Sequence, residues 1–125
     1  MIQTYRDLRV WQEAMDLAEA TYRLAQTMPA SESFGLVAQV RRSAVSVPAN
    51  IAEGYGREST GSYIQFLKTA RGSLRELETH VLLAQRVGLV ARQDADKLLG
   101  IAENVAKKLH ALIRAVQQSR AATAR

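Results

Sequence analysis

Along this chain, apolar side chains return every three or four positions in four separate stretches. In the first, Leu8, Trp11, Met15, Ala18, Tyr22 and Ala25 share a face, which predicts a helix over about 7–28, ending before Pro29. The second should open near Ser31 or Ser33 and run over about 32–54, with Val37, Val40, Ala44, Val47 and Ile51 inward. The third, about 60–87, starts after Ser59 or Thr60 as N-cap. Its seam is Tyr63, Leu67, Ala70, Leu74, Leu77, Val81 and Ala84, and Gly88 is placed to end it. The fourth, about 92–118, carries Leu98, Ala102, Val105, Leu109, Leu112 and Val116, and a frayed tail is expected from about Ser119.

Four such seams joined by short loops predict one domain over 1–125: an all-α, antiparallel up-down-up-down four-helix bundle. Pro48 interrupts the second pattern, removing a donor and crowding the Ala44 carbonyl. The helix either kinks near Pro48 or ends near Val47. The helical reading of Asn50-Ile51-Ala52-Glu53 favours the kink, and Gly54 then makes a stop. Gly72 is costly in mid-helix. With Ala70 and Ser73 beside it, and Ser43, Ala44, Ser46, Ala49 and Ala52 on the second helix, it predicts close approach of two backbones.

One stripe does not fit a lone bundle. Val10, Leu17 and Leu24 recur every seven residues, off the expected seam of the first helix. Leu99, Ala106 and Ile113 do the same on the fourth. A large apolar ridge on an outer face points to a buried partner surface. Val10, Leu17, Leu24, Leu99 and Ile113 are therefore the candidate contacts between copies of the chain; scattered surface leucines are the plain alternative.

At 125 residues and 47% hydrophobic composition, the chain can build one real core and is not disordered by composition. It has no cysteine, which excludes disulfides, thiol nucleophiles and Cys-based zinc sites. The start lacks a signal-like apolar region and no apolar run would span a bilayer. A soluble, cytoplasmic protein with no membrane role is expected.

The net charge is +5, unevenly placed. Residues 7–28 hold four carboxylates against two cations, and residues 91–125 hold seven cations against three carboxylates. Such asymmetry can serve nucleic acid or steer copies of the chain together. Lys68, Arg71 and Arg75 form a stripe at i, i+3 and i+7, and Lys107, Lys108 and Arg114, extended by Arg120 and Arg125, form another. With Arg41 and Arg42 they are the candidate phosphate contacts. Few aromatics are available for base stacking, so the signal is electrostatic; a solvated face is the plain reading.

Chemistry is hard to find. A di-iron bundle needs Glu-x-x-His pairs, but Leu77 precedes His80 by three and Lys107 precedes His110 by three. Glu76 and His80 could share a metal or small molecule, though one such pair is usually a solvated helix face. Gly54-Tyr55-Gly56 lacks the lysine and strand of a phosphate loop. No enzyme, cofactor or metal is expected. Glu53, Glu76 and Glu78, close in sequence to Arg57, Arg71 and Arg75 and with Arg41 and Arg42 two to three turns earlier on the second helix, could pair across the second and third helices and fix their register. Paired catalytic carboxylates are the sharper alternative, with no pocket signal behind it.

The blocks Asp7-Leu8-Arg9-Val10-Trp11-Gln12, Gly35-Leu36, Gln39-Val40-Arg41-Arg42-Ser43-Ala44, Asn50-Ile51-Ala52-Glu53-Gly54-Tyr55-Gly56-Arg57, Phe66-Leu67 and Gly72-Ser73-Leu74-Arg75-Glu76-Leu77-Glu78-Thr79 carry a resemblance over about 7–116. The chain resembles the bacterial "four helix bundle protein" family, first described from intervening sequences in large-subunit ribosomal RNA genes. That resemblance implies a cytosolic bundle that associates into ring-like homopentamers, with no established enzymatic activity. A related branch, the accessory proteins of diversity-generating retroelements, is basic and engages a reverse transcriptase and nucleic acid. The function expected is a homo-oligomeric adaptor binding RNA or DNA through its cationic stripes; the alternative is a protein–protein scaffold with no nucleic-acid role.

Overall fold

The computed structural model describes residues 1–32 and 34–124, with side chains through residue 122. Four helices pack as a bundle: α1 (Arg9–Gln26), α2 (Leu36–Tyr55), α3 (Thr60–Arg86) and α4 (Arg92–Ala124). Single turns of 3-10 helix at Tyr5–Asp7 and Ala30–Glu32 precede α1 and α2. Each helix touches its two neighbours in the ring α1–α2–α3–α4, and the diagonal pairs stay apart. Neighbours run antiparallel, as Tyr22 beside Arg41, Ser43 beside His80, Gly61 beside Arg120 and Glu13 beside Lys108 require. The up-down-up-down expectation is met.

Local chemistry explains most boundaries. Thr4 and Asp7 close a capping box before α1, and the backbone N–H groups of Gln3 and Thr4 hold the Asp7 carboxyl below its ordinary value. Ser59 caps α3, its hydroxyl accepting the Ser62 N–H at 3.0 Å. At the other end, Gly88 takes φ +82°. Its N–H reaches the Gln85 carbonyl at 3.1 Å and the Leu89 N–H reaches that of Ala84 at 2.8 Å, the Schellman closure. The second helix begins at Leu36, later than expected, and Ser33 lies outside the described residues. It runs unbroken through buried Pro48, so the chain does not end a helix at Val47. The tail expected to fray at Ser119 continues as helix to Ala124, and Arg125 lies outside the described residues.

The core corrects the reading of α1. Val10 and Leu17 are 5% and 0% exposed, whereas Met15 and Tyr22, expected inside, are 45% and 41% exposed. Val10, Leu17 and Leu24 are one column of a heptad seam whose other column is Ala14, Thr21 and Met28, all buried. Alanine and threonine hid that second column, so its leucine partner column looked like an outer ridge. The Thr21 hydroxyl is satisfied by donating to the Leu17 carbonyl at 2.8 Å. On α4, Ile113 is likewise buried, and Leu99, like Leu24, is half-buried against the core. None of the five residues assigned to a contact between copies forms an outer ridge; they hold the bundle itself together.

The α2–α3 interface is the most extensive. A Cβ built on Gly54 would lie 2.7 Å from Phe66 Cβ and 3.1 Å from Tyr63 Cδ1. Gly54 therefore does not stop α2, which continues to Tyr55; it lets α3 approach. Gly72, expected to do this, is exposed and has nothing within 4 Å of its missing Cβ. Short polar side chains complete the contact: the Ser46 and Ser73 hydroxyls hydrogen-bond at 2.7 Å, and Asn50 Nδ2 donates to Ser46 Oγ at 2.9 Å. The expected charge pairing between α2 and α3 does not occur. Glu53 bonds Arg57 and Arg75 bonds Glu78, each within one segment and near the surface.

Candidate nucleic-acid interface

The antiparallel pairing of α3 and α4 sets the first half of one beside the last half of the other. Residues 59–75 contain Lys68, Arg71 and Arg75 and no carboxylate. Residues 104–125 contain five cations and, again, no acidic side chain. The fold superposes these two acid-free stretches at one end of the bundle. There Lys68 and Arg120 line a groove together, floored by Gly61 and Ile64. The Arg120 guanidinium sits 3.3 Å from where a Gly61 Cβ would stand, so the glycine makes room for it.

Farther along the same face, Arg75 and Lys107 line the continuing groove between the two helices. Arg71 falls between Lys68 and Arg75 on α3, and Arg114 lies one heptad beyond Lys107 on α4, so both belong to these rims. Charge is tempered here: Arg75 bonds Glu78 at 2.7 Å, and Lys107 lies 3.6 Å from Glu103. Among the described residues, no carboxylate comes within ion-pair distance of Lys68, Arg71, Arg114 or Arg120. Free cations thus concentrate where the acids run out.

Three predicted contacts fall elsewhere. Lys108 turns to α1 and pairs with Glu13 at 3.1 Å. Arg42 is exposed on α2, remote from the groove. Arg41, also on α2, is half-buried with its guanidinium 5.3 Å from the Tyr22 ring centroid, and its buried Nε finds no acceptor. Gln65 and Gln117 line the groove and were missed. A glutamine carries no charge signal, although the two carboxylate-free stretches around them were visible in the sequence.

The remaining chemistry is dispersed. Glu76 is exposed, while His80 turns to α2 with Nδ1 3.4 Å from Ser43 Oγ. Among the described residues, no group of three or more His, Asp or Glu side chains is placed to hold a metal. Tyr63, half-buried beside Tyr55, has its phenol pushed up to about 12, first by desolvation and then by Tyr55. No described helix is long and apolar enough to cross a membrane.

The 23S rRNA-intervening sequence protein family matches residues 6–111. The chain belongs to that family. The resemblance in the motif blocks and the family match coincide over nearly the whole bundle. No curated protein matches. Among solved structures, a protein of unknown function from the S23 ribosomal protein family of Bacteroides thetaiotaomicron is similar, with a TM-score of 0.78 at 23% identity. The match covers 83% of this chain and 97% of that one, and at this identity it supports the fold alone.

Proposed function

We propose that this family member is a non-enzymatic, cytoplasmic, homo-oligomeric bundle protein that holds RNA on the acid-free end of its α3–α4 face. One observation carries the reading: Lys68 of α3 and Arg120 of α4 line one groove, Arg71 and Arg114 follow on the same helices, and among the described residues no carboxylate is within ion-pair distance of any of the four. Uncompensated cations on two parallel rims suit a phosphate backbone, whose binding they drive by counterion release. Self-association draws on different residues from those expected: Met15, Tyr22 and Val45 on the α1–α2 side, and Leu82, Leu83 and Val87 toward the end of α3, are large, apolar and exposed.

RNA binding followed by fluorescence anisotropy tests this. With four phosphate contacts, affinity should fall about 100-fold between 50 and 200 mM salt. Lys68→Glu with Arg71→Glu should weaken it further, while Arg42→Glu should change it little. Salt-independent binding, or none, would reject the reading and leave the protein-only scaffold. Light scattering checks the assembly; a mass of one subunit ends that part.

A further inference from the structure

Granted RNA binding, on which this inference rests, the groove that holds the free cations also decides which form of nucleic acid it fits. Its walls are Lys68 and Gln65 from α3 and Arg120 and Gln117 from α4, over a floor of Gly61 and Ile64. No aromatic ring is among its lining residues, and the groove past Arg75 and Lys107 offers a single ring, the His110 imidazole, with Glu103 and Lys107 on its own helix and Glu78 on the other. A single strand presents unstacked bases, which proteins hold by stacking them on aromatic side chains. Beside Lys68 and Arg120 such bases would meet aliphatic carbon, amides and charge but no ring, and one imidazole farther along is too little to stack successive bases. A duplex hides its bases and offers two backbones, and the cations stand in two rows, one per helix. Lys68 and Arg75 are about 10 Å apart along α3, and Lys107 and Arg120 about 20 Å apart along α4, enough to follow backbone rather than a single phosphate.

On the same two walls as the cations stand two exposed glutamines, Gln65 and Gln117. An amide side chain both donates and accepts, as does a ribose 2′-hydroxyl. The shallow minor groove of A-form RNA presents 2′-hydroxyls between its phosphate rows, and B-form DNA has none. We infer that this α3–α4 groove recognises double-stranded RNA by shape, its cations on phosphate oxygens and the Gln65 and Gln117 amides on 2′-hydroxyls.

The test compares three probes on the full chain at one salt concentration: a mixed-sequence RNA duplex, one of its single strands, and the DNA duplex of the same sequence. The RNA duplex should bind about tenfold more tightly than either of the others. Gln65→Ala with Gln117→Ala should bring the RNA duplex down to the level of the DNA duplex, with the thermal midpoint unchanged. Lys68→Gln with Arg120→Gln should weaken all three probes together. Equal or tighter binding of the single strand, or equal binding of the two duplexes by the parent protein, overturns the inference while leaving RNA binding standing. Binding of none of the three overturns both.

Discussion

Gly54 of α2 and Phe66 of α3 stand so close that a methyl group on the glycine would sit 2.7 Å from the phenylalanine Cβ. Neither atom is the free end of a flexible side chain, so the helices themselves must part. Gly54→Ala should cost about 1–3 kcal/mol in urea unfolding. Gly72→Ala is the counterpart, since its new methyl meets nothing within 4 Å. That change should raise stability by about 1 kcal/mol through helix propensity. Opposite signs from the two glycines would locate the close approach at Gly54.

Gly88 is held for a different reason. There is room for a side chain, but the backbone at φ +82° resists one. Gly88→Ala should lower stability by about 1–2 kcal/mol, seen as a lower thermal midpoint.

The assignment of α1's faces is tested by two neighbours on that helix. Leu17→Ala, at a position 0% exposed, should destabilise by about 2–5 kcal/mol through lost burial and a cavity. Met15→Ala, at a site exposed in the single bundle, should stay within about 0.5 kcal/mol when read at concentrations too low for self-association. An exposed Leu17 and buried Met15 would reverse this order in denaturant titrations.

Tyr63 predicts the alkaline limit. Its folded phenol titrates near 12 against an ordinary 10.0, so the folded chain holds the proton more tightly than the unfolded one. The contribution is fully present below pH 10 and is lost as pH rises through about 12. Ultraviolet phenolate absorbance should show one tyrosine ionising late, together with loss of helix. Tyr63→Phe should remove that late step and flatten the decline.

What residue order alone determined is the set of helices, the inward faces of α2 and α3, and that of α4 as far as Leu109; beyond it Ile113, expected outside, is buried while Leu112 and Val116 are half-buried. The large side chains of these helices repeat with helical period, and Ser59 and Gly88 meet local needs of a helix start and stop that hold in any surroundings. The inward face of α1 depended on which side its neighbours covered, because Ala14 and Thr21 are too small and too polar to announce a seam. Only packing could separate Gly54 from Gly72, since a glycine is required where another chain segment arrives, and the arrival of Phe66 is a tertiary event. The same holds for the cationic groove. Its two halves lie about fifty residues apart, and the antiparallel return of α4 along α3 sets Lys68 beside Arg120.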